Sequence, residues 1–203
     1  MGRRYITMVQ PKPTALHALP APTDAALVIA ARTGDSWAQE ALYRRHARMV
    51  NGLAYRLLGR DEEVDDLVQE AFLAALRSLD RLENPQAFAG WLCSILVRTA
   101  HKTLRRRSLL TRLGIRRAAP IDPDAVISRS VPPEVRGELA AIYGVLDRMR
   151  PEVRLALVLH RVEGLSVPEV AERMSLSVST VKRRLAVAER RLTQFLGTHG
   201  DSA

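Results

Sequence analysis

The apolar residues between positions 64 and 79 recur at i, i+3, i+4 and i+7 without interruption. This spacing places all of them on one face of an α-helix. The stripe consists of Val64, Leu67, Val68, Ala71, Phe72, Ala75, Leu76 and Leu79. Strand signals are absent from the rest of the chain. Aromatic residues, which are favoured in strands, make up only 4% of the whole chain. The sequence therefore predicts an all-α protein.

Helix-start signals predict a first helical unit over residues 24–107. Asp24 can N-cap its first helix, and Asp35 or Ser36 can begin the second. A third helix is predicted over residues 61–79, because acidic side chains at its start favour the positive end of the helix dipole. The unit is expected to be a small helical bundle.

Glycine and proline mark the predicted breaks between elements. Gly59 suits the left-handed position that ends the second helix, and a fourth helix follows the break at residues 84–85. Residues 1–23 are rich in proline and lack a helical period, which predicts a disordered tail. Residues 108–133 are expected to form a flexible linker, and residues 198–203 a second disordered tail.

Residues 134–197 are predicted to form a second helical unit that contains a helix-turn-helix. Ser166 and Glu169 have the spacing of a capping box, and Ser177 can cap the last helix. Ser175 stands in the turn, where many such motifs carry glycine. The predicted buried face of the last helix consists of Val178, Val181, Leu185, Ala188, Leu192 and Phe195.

The opposite face of that last helix carries hydroxyl and basic side chains. Lysine and arginine in the N-terminal half of such a helix can bond guanine in a major groove, and serine and threonine reach phosphates or bases. The candidate DNA-reading residues are Ser179, Thr180, Lys182, Arg183 and Arg184.

Charge in the first unit separates by position, although the net charge of the whole chain is +9. Residues 61–70 hold six acids and no base. Between Asn84 and Ile121 there is no acid, and the eight bases are Arg98, Lys102, Arg105, Arg106, Arg107, Arg112, Arg116 and Arg117. The unit could thus contact a protein with one surface and a phosphate backbone with another, or the two could be solvated helix faces.

No pattern of catalytic or metal-binding residues stands out. The five histidines lack carboxylate or cysteine partners at metal-ligand spacing, and a single cysteine, Cys93, excludes an internal disulfide. No apolar run approaches the roughly 18 residues of a membrane span. We expect a cytoplasmic protein that is not an enzyme and has no cofactor or metal.

Three stretches make the chain resemble a known family: residues 65–72 (DDLVQEAF), the pair Trp91-Leu92 followed by basic residues, and residues 164–192. It is similar to the extracytoplasmic-function sigma factors of bacteria, which keep only regions two and four of the sigma-70 type. The resemblance covers about residues 24–107 and 134–196. It implies binding to core RNA polymerase at the β′ clamp and near the β flap, and promoter-specific initiation of transcription.

The resemblance also assigns roles to residues. Asp65, Asp66, Gln69 and Glu70 would contact the polymerase. The loop 82–87 and the next helix would hold the melted −10 element, through Arg98, His101, Lys102, Arg105 and Arg106. The −35 element would be read through Lys182, Arg183 and Arg184 of the helix-turn-helix. Many members of the family are held inactive by an anti-sigma protein, which adds such a protein to the expected partners.

Three positions depart from the family's usual residues. Arg98 stands where asparagine is frequent, Ser94 where arginine is frequent, and Gln39 where phenylalanine is common. Trp37 is expected to supply the packing that Gln39 lacks. The alternative interpretation is a stand-alone helix-turn-helix regulator whose first unit binds a signal or dimerises, but such a protein does not need the acidic stretch beside the basic one.

Overall fold

The computed structural model describes residues 21–59, 63–115 and 133–199. All regular structure within these residues is helical, which confirms the predicted fold class. The first unit consists of α1 (Asp24–Arg32), α2 (Ser36–Leu58), α3 (Val64–Arg77), the 3₁₀ turns Leu79–Arg81 and Pro85–Ala87, and α4 (Phe88–Arg112). The second unit consists of α5 (Pro133–Asp147), α6 (Pro151–Leu157), the π turn Val158–Val162, α7 (Val167–Met174) and α8 (Val178–His199).

Most helix ends lie where their capping residues predict. The Asp35 side chain accepts a hydrogen bond from the Ala38 amide at 3.1 Å and caps α2, which ends at Gly59 with φ of 62°. The cap of α1 differs from the prediction, because the hydroxyl of Thr23 and not the carboxylate of Asp24 accepts the amide of Ala26. Asp24 lies in the first turn, where its charge still favours the helix dipole.

Two helices run past their predicted limits. α4 continues from residue 107 to Arg112, and α8 continues to His199, where a disordered tail was predicted from residue 198. Neither extension contains a proline or glycine that would stop a helix, and Gly114, with φ of 69°, follows the end of α4. The predictions for residues 1–20, 60–62, 116–132 and 200–203 lie outside the described residues.

The core follows the predicted stripe of α3. Leu67, Val68 and Phe72 are at most 4% exposed, and burying each such side chain contributes about 1.5–3 kcal/mol. Phe88 and Leu92 of α4 lie beside them in the same apolar cluster. This core fixes the outward face of α3 and of α4, and therefore fixes where their charged side chains lie.

Two packing predictions were wrong. Val178 is 41% exposed, because it is the first residue of α8 and the buried face begins at Val181. Trp37 is 61% exposed and does not fill the space beside Gln39. Ala38 and Leu42, both fully buried, take the core positions of α2. Successive residues of a helix point about 100° apart, so Trp37, which directly precedes Ala38, points away from the core.

Candidate functional site

The outward face of α3 carries all four polar residues assigned to protein contact. Asp65, Asp66, Gln69 and Glu70 are exposed, whereas the apolar residues between them are buried. The helix repeat brings residues four apart onto one side, so Asp66 and Glu70 lie side by side. Asp65 and Asp66 also occupy the first turn, where their negative charge stabilises the helix. The result is a rigid acidic surface with fixed side-chain spacing.

A partly apolar groove of about 680 Å³ runs between α2 and α3 beside this acidic surface. Tyr43 of α2 packs edge-on against Phe72 of α3, with ring centroids 4.8 Å apart. Asp65 and Gln69 line the same groove, and Leu73 is 43% exposed in it. This groove was not predicted from the sequence. Its signal was the aromatic residue Tyr43 on α2, in a chain with few aromatic residues.

The basic residues of α4 form a second surface. Arg98, Lys102, Arg105 and Arg106 are exposed. Arg98, Lys102 and Arg105 follow the i, i+4, i+7 spacing of one helix face, which can track a phosphate backbone. His101 does not share this exposure: it is half-buried, and its Nε2 lies 3.5 Å from Glu152 of the second unit.

Arg107 does not belong to the basic surface, although it follows Arg106 directly. Only 8% of it is exposed. Its guanidinium donates to the carboxylate of Glu63 at 2.5 Å and to the carbonyl of Leu58 at 3.2 Å. Carbonyls at a helix C-terminus lack intrahelical partners, so Arg107 satisfies the end of α2. Arg107 therefore serves the packing of the bundle and not the basic surface.

The acidic and basic surfaces adjoin each other. Asp66, Glu70 and Arg106 line one groove of about 350 Å³ between α3 and α4. A protein bound to the outer face of α3 would therefore sit directly beside a nucleic acid bound along α4. The acidic residues of α3 and the basic residues of α4 thus lie on adjoining helices of one bundle.

The loop between α3 and α4 is held from α1, through a contact that sequence reasoning also missed. The guanidinium of Arg32 donates from Nε to the carbonyl of Leu79 at 3.2 Å and from Nη2 to that of Leu82. The Asn84 side chain accepts from the Gln86 amide at 3.0 Å and caps the turn Pro85–Ala87. These bonds order the loop at the start of the basic helix.

Local hydrogen bonds build the predicted helix-turn-helix. The Ser166 amide donates to the Glu169 carboxylate at 2.8 Å, and the Glu169 amide donates back to the Ser166 hydroxyl, which completes the capping box. Hydrogen bonds that the Ser166 hydroxyl and the Ser166 amide donate to the Glu169 carboxylate lower the pKa of that carboxyl. Ser175 takes the left-handed conformation, with φ of 55°, that ends α7 before the turn. Val170 and Val181, both fully buried, pack α7 against α8.

The DNA-reading candidates at the start of α8 differ in their exposure to solvent. Ser179, Lys182 and Arg183 are exposed, whereas Thr180 and Arg184 are half-buried. The Ser177 hydroxyl lies 2.8 Å from the hydroxyl of Thr180 and accepts its amide at 3.3 Å. Thr180 therefore contributes to the helix cap, and the free donors on this face are the two exposed basic side chains.

No group of three or more metal-ligating side chains occurs among the residues that the structure describes. Cys93 is half-buried, and burial raises the pKa of its thiol. Within the described ranges, no helix has the length and apolar character of a membrane span.

Comparisons with known proteins agree with this arrangement. Residues 42–109 match the family Sigma-70 region 2, and residues 139–192 match Sigma-70, region 4. The RNA polymerase sigma factor NccH of Alcaligenes xylosoxydans xylosoxydans is 34% identical over 85% of this chain and 94% of that protein. The ECF RNA polymerase sigma factor SigE of Mycolicibacterium smegmatis is also 34% identical, over 82% of this chain and 66% of that protein.

Solved structures show the same relationship. A structure of CnrH in complex with the cytosolic domain of CnrY matches 86% of this chain and 97% of its own, at 30% identity and a TM-score of 0.58. The Bartonella quintana sigma factor RpoE, solved with the anti-sigma factor NepR, has the same fold at 20% identity and a TM-score of 0.59. Relatives at 30–34% identity span both units. The chain therefore belongs to the extracytoplasmic-function RNA polymerase sigma factors, the sigma-70-type proteins of transcription initiation.

Proposed function

We propose that the three surfaces described above divide the work of promoter recognition. The acidic face of α3, with Asp65, Asp66, Gln69 and Glu70, binds the β′ clamp of core RNA polymerase. The basic face of α4 holds the melted −10 strand. Lys182 and Arg183 at the start of α8 read the −35 element, and the second unit lies near the β flap.

The observation that carries this proposal is the pairing of two adjoining surfaces of opposite charge in the first unit. Asp66 and Glu70 are exposed beside Arg106 on the same groove, so protein and nucleic acid can be bound next to each other. A strand captured beside the polymerase clamp would stay separated from its complement. A stand-alone helix-turn-helix regulator is not favoured, because relatives named as sigma factors match both units.

The proposal places the protein in the cytoplasm, where polymerase and promoter DNA are found. Polymerisation belongs to the core enzyme, and the sigma factor supplies binding energy and no catalytic group. Residues 24–107 and 134–197 act as the two functional domains, joined by residues 108–133. An anti-sigma protein is a further proposed partner, since the related CnrH is solved in complex with the cytosolic domain of CnrY.

Core binding tests the assignment of the acidic face. The double variant Asp66→Ala/Glu70→Ala should bind purified core polymerase at least about tenfold more weakly, or about 1.4 kcal/mol, by fluorescence titration. The matched control Asp80→Ala/Glu138→Ala removes two exposed carboxylates outside the face and should bind normally. Equal affinity of both double variants would refute the docking assignment.

A further inference from the structure

A loop at the start of the basic helix is held by a residue that lies outside the basic surface. Residues 82–87 run from the 3₁₀ turn Leu79–Arg81 to α4, and the resemblance to sigma factors assigns them, with α4, to the melted −10 strand. Glu83, Asn84 and Gln86 are exposed, so an unpaired base can reach them. Side chains that read a base must be kept in fixed positions by the residues behind them. The contacts behind this loop therefore bear on which base it accepts.

Arg32, the last residue of α1, makes the contact that holds the start of the loop. Its Nε donates to the carbonyl of Leu79 at 3.2 Å, and its Nη2 donates to the carbonyl of Leu82. The Leu79 carbonyl also accepts the Leu82 amide at 3.0 Å. Because a guanidinium is planar and its donors form a rigid fork, these bonds fix the separation of the two carbonyls. Arg32 thereby sets where the chain leaves the turn and enters the loop.

The loop is anchored at its start by apolar side chains and closed by its own hydrogen bonds. Leu79 and Leu82 are 2% and 5% exposed, so the turn before the loop is seated in the core. Both bonds from Arg32 are partly buried, and water would replace them poorly. Farther along, the Asn84 carbonyl accepts the Ala87 amide at 2.9 Å. Arg32 joins this locally closed loop to α1.

Helix α1 can hold the loop because it is itself fixed to α2 at both ends. At its start, the Asp24 carboxylate lies 3.0 Å from Nε2 of His46. At its end, the Gln39 side chain donates to the Ala31 carbonyl at 3.4 Å. Gln39 stands where the family commonly has phenylalanine, and this bond gives its amide a role beside Arg32. The position of the Arg32 guanidinium is therefore set by the packing of α1 on α2.

We propose that Arg32 is a positioning residue for base selection at the −10 element. Its Nε and Nη2 bonds hold residues 82–87 in the arrangement that accepts a preferred base. A loop that is ordered in advance loses less conformational entropy when a strand binds, and its side chains discriminate better between bases. Arg32 acts through the loop and touches no base. This inference rests on the proposed function.

Hydrogen exchange in the free, full-length chain tests whether Arg32 orders the loop. Arg32→Ala and Arg32→Lys should each speed exchange of the Leu82 and Ala87 amides at least about tenfold, because local opening of the loop becomes easier. Lysine keeps the charge but lacks the planar fork that bridges two carbonyls. The control Thr23→Ala removes the cap at the other end of α1 and should leave both amides unchanged. Unchanged exchange in either Arg32 variant would overturn the proposal.

Strand binding by the same variants tests base selection. Holoenzyme is titrated with single-stranded −10 oligonucleotides of a promoter mapped by run-off transcription, in which each position carries each of the four bases in turn. Both Arg32 variants should lower the preference for the best base about tenfold at one or two neighbouring positions, since two bonds from a charged donor are lost. Thr23→Ala should keep the preference. An equal loss of affinity for all bases, or a normal preference in Arg32→Lys, would identify Arg32 as a phosphate contact and overturn the proposal.

Failure of this inference can be told from failure of the proposed function. Hydrogen exchange needs neither polymerase nor DNA, so faster exchange with an unchanged base preference would overturn the positioning role alone. A wild-type holoenzyme that binds none of the −10 oligonucleotides would refute the proposed function. Core polymerase should bind Arg32→Ala as tightly as wild type by fluorescence titration, because the acidic face of α3 is untouched. Weaker core binding would mean a general loss of the fold and would also overturn the positioning role.

Discussion

Glu63 at the start of α3 and Arg107 near the end of α4 are joined by an ion pair of 2.5 Å, which holds the acidic helix against the basic one. Arg107 also donates to the Leu58 carbonyl, so one guanidinium connects three helices of the first unit. Removal of Arg107 takes its bonds from the Leu58 carbonyl and from the partly exposed Glu63 carboxylate, which costs about 1–3 kcal/mol.

Arg107→Ala should therefore lower the free energy of unfolding by about 1–3 kcal/mol in urea denaturation. Its neighbour Arg106 is exposed and provides a matched control, and Arg106→Ala should change stability by less than about 0.5 kcal/mol. Similar losses for the two variants would contradict the structural role of Arg107.

Residues of the basic face should show their phosphate contacts in the salt dependence of binding. Lys102→Ala and Arg105→Ala should each make the plot of log affinity against log salt shallower by about 0.7, for holoenzyme on a single-stranded −10 oligonucleotide. Arg77, exposed at the end of α3, provides the control Arg77→Ala, which should leave the slope unchanged. Unaltered slopes for Lys102→Ala and Arg105→Ala would remove these residues from the −10 surface.

Arg183 should read a base of the −35 element, because it is exposed in the second turn of α8. Arg183→Ala should cost about 1–3 kcal/mol on a matched promoter and little on a fragment with a scrambled −35 element, by holoenzyme binding. Arg161→Ala removes an exposed arginine of the π turn as a control. A uniform loss on both fragments would instead identify Arg183 as a phosphate contact.

Glu152 should make stability depend on pH. Burial alone would raise the pKa of its carboxyl, but the bond from its own backbone amide and the nearby His101 and Arg184 hold that pKa below its usual value. A carboxyl whose pKa is lower in the folded than in the unfolded protein stabilises the fold at pH values above its unfolded-state pKa. This contribution to stability is lost as the pH falls through the folded-state pKa. The thermal midpoint of wild type should therefore fall more steeply below about pH 5 than that of Glu152→Gln. Parallel curves would contradict this assignment.

Local signals predicted much of the fold. Asp35, Gly59 and the Ser166–Glu169 box mark helix ends because the capping bonds are made within a few residues. The stripe of α3 predicted its buried side for the same reason, since helix geometry alone sets which residues share a face. The outward position of the four polar residues of α3 follows directly from that stripe.

Contacts between distant segments could not be predicted in this way. Arg106 and Arg107 look alike in the sequence, and only the position of the α2 C-terminus makes one of them a buried partner. His101 was assigned to DNA, but the packing of α6 places it beside Glu152. The bond from the Arg173 guanidinium of α7 to the Gly90 carbonyl of α4 joins residues 83 positions apart.

Run-off transcription with purified core polymerase shows whether this protein directs promoter-specific initiation. Genomic fragments are transcribed with core alone, with core plus the protein, and with core plus Asp66→Ala/Glu70→Ala. We expect discrete transcripts that require the protein, and at most about one tenth of that signal from the double variant at limiting sigma concentration. If folded protein adds no discrete transcript on any fragment, it is not a promoter-specific initiation factor for this polymerase.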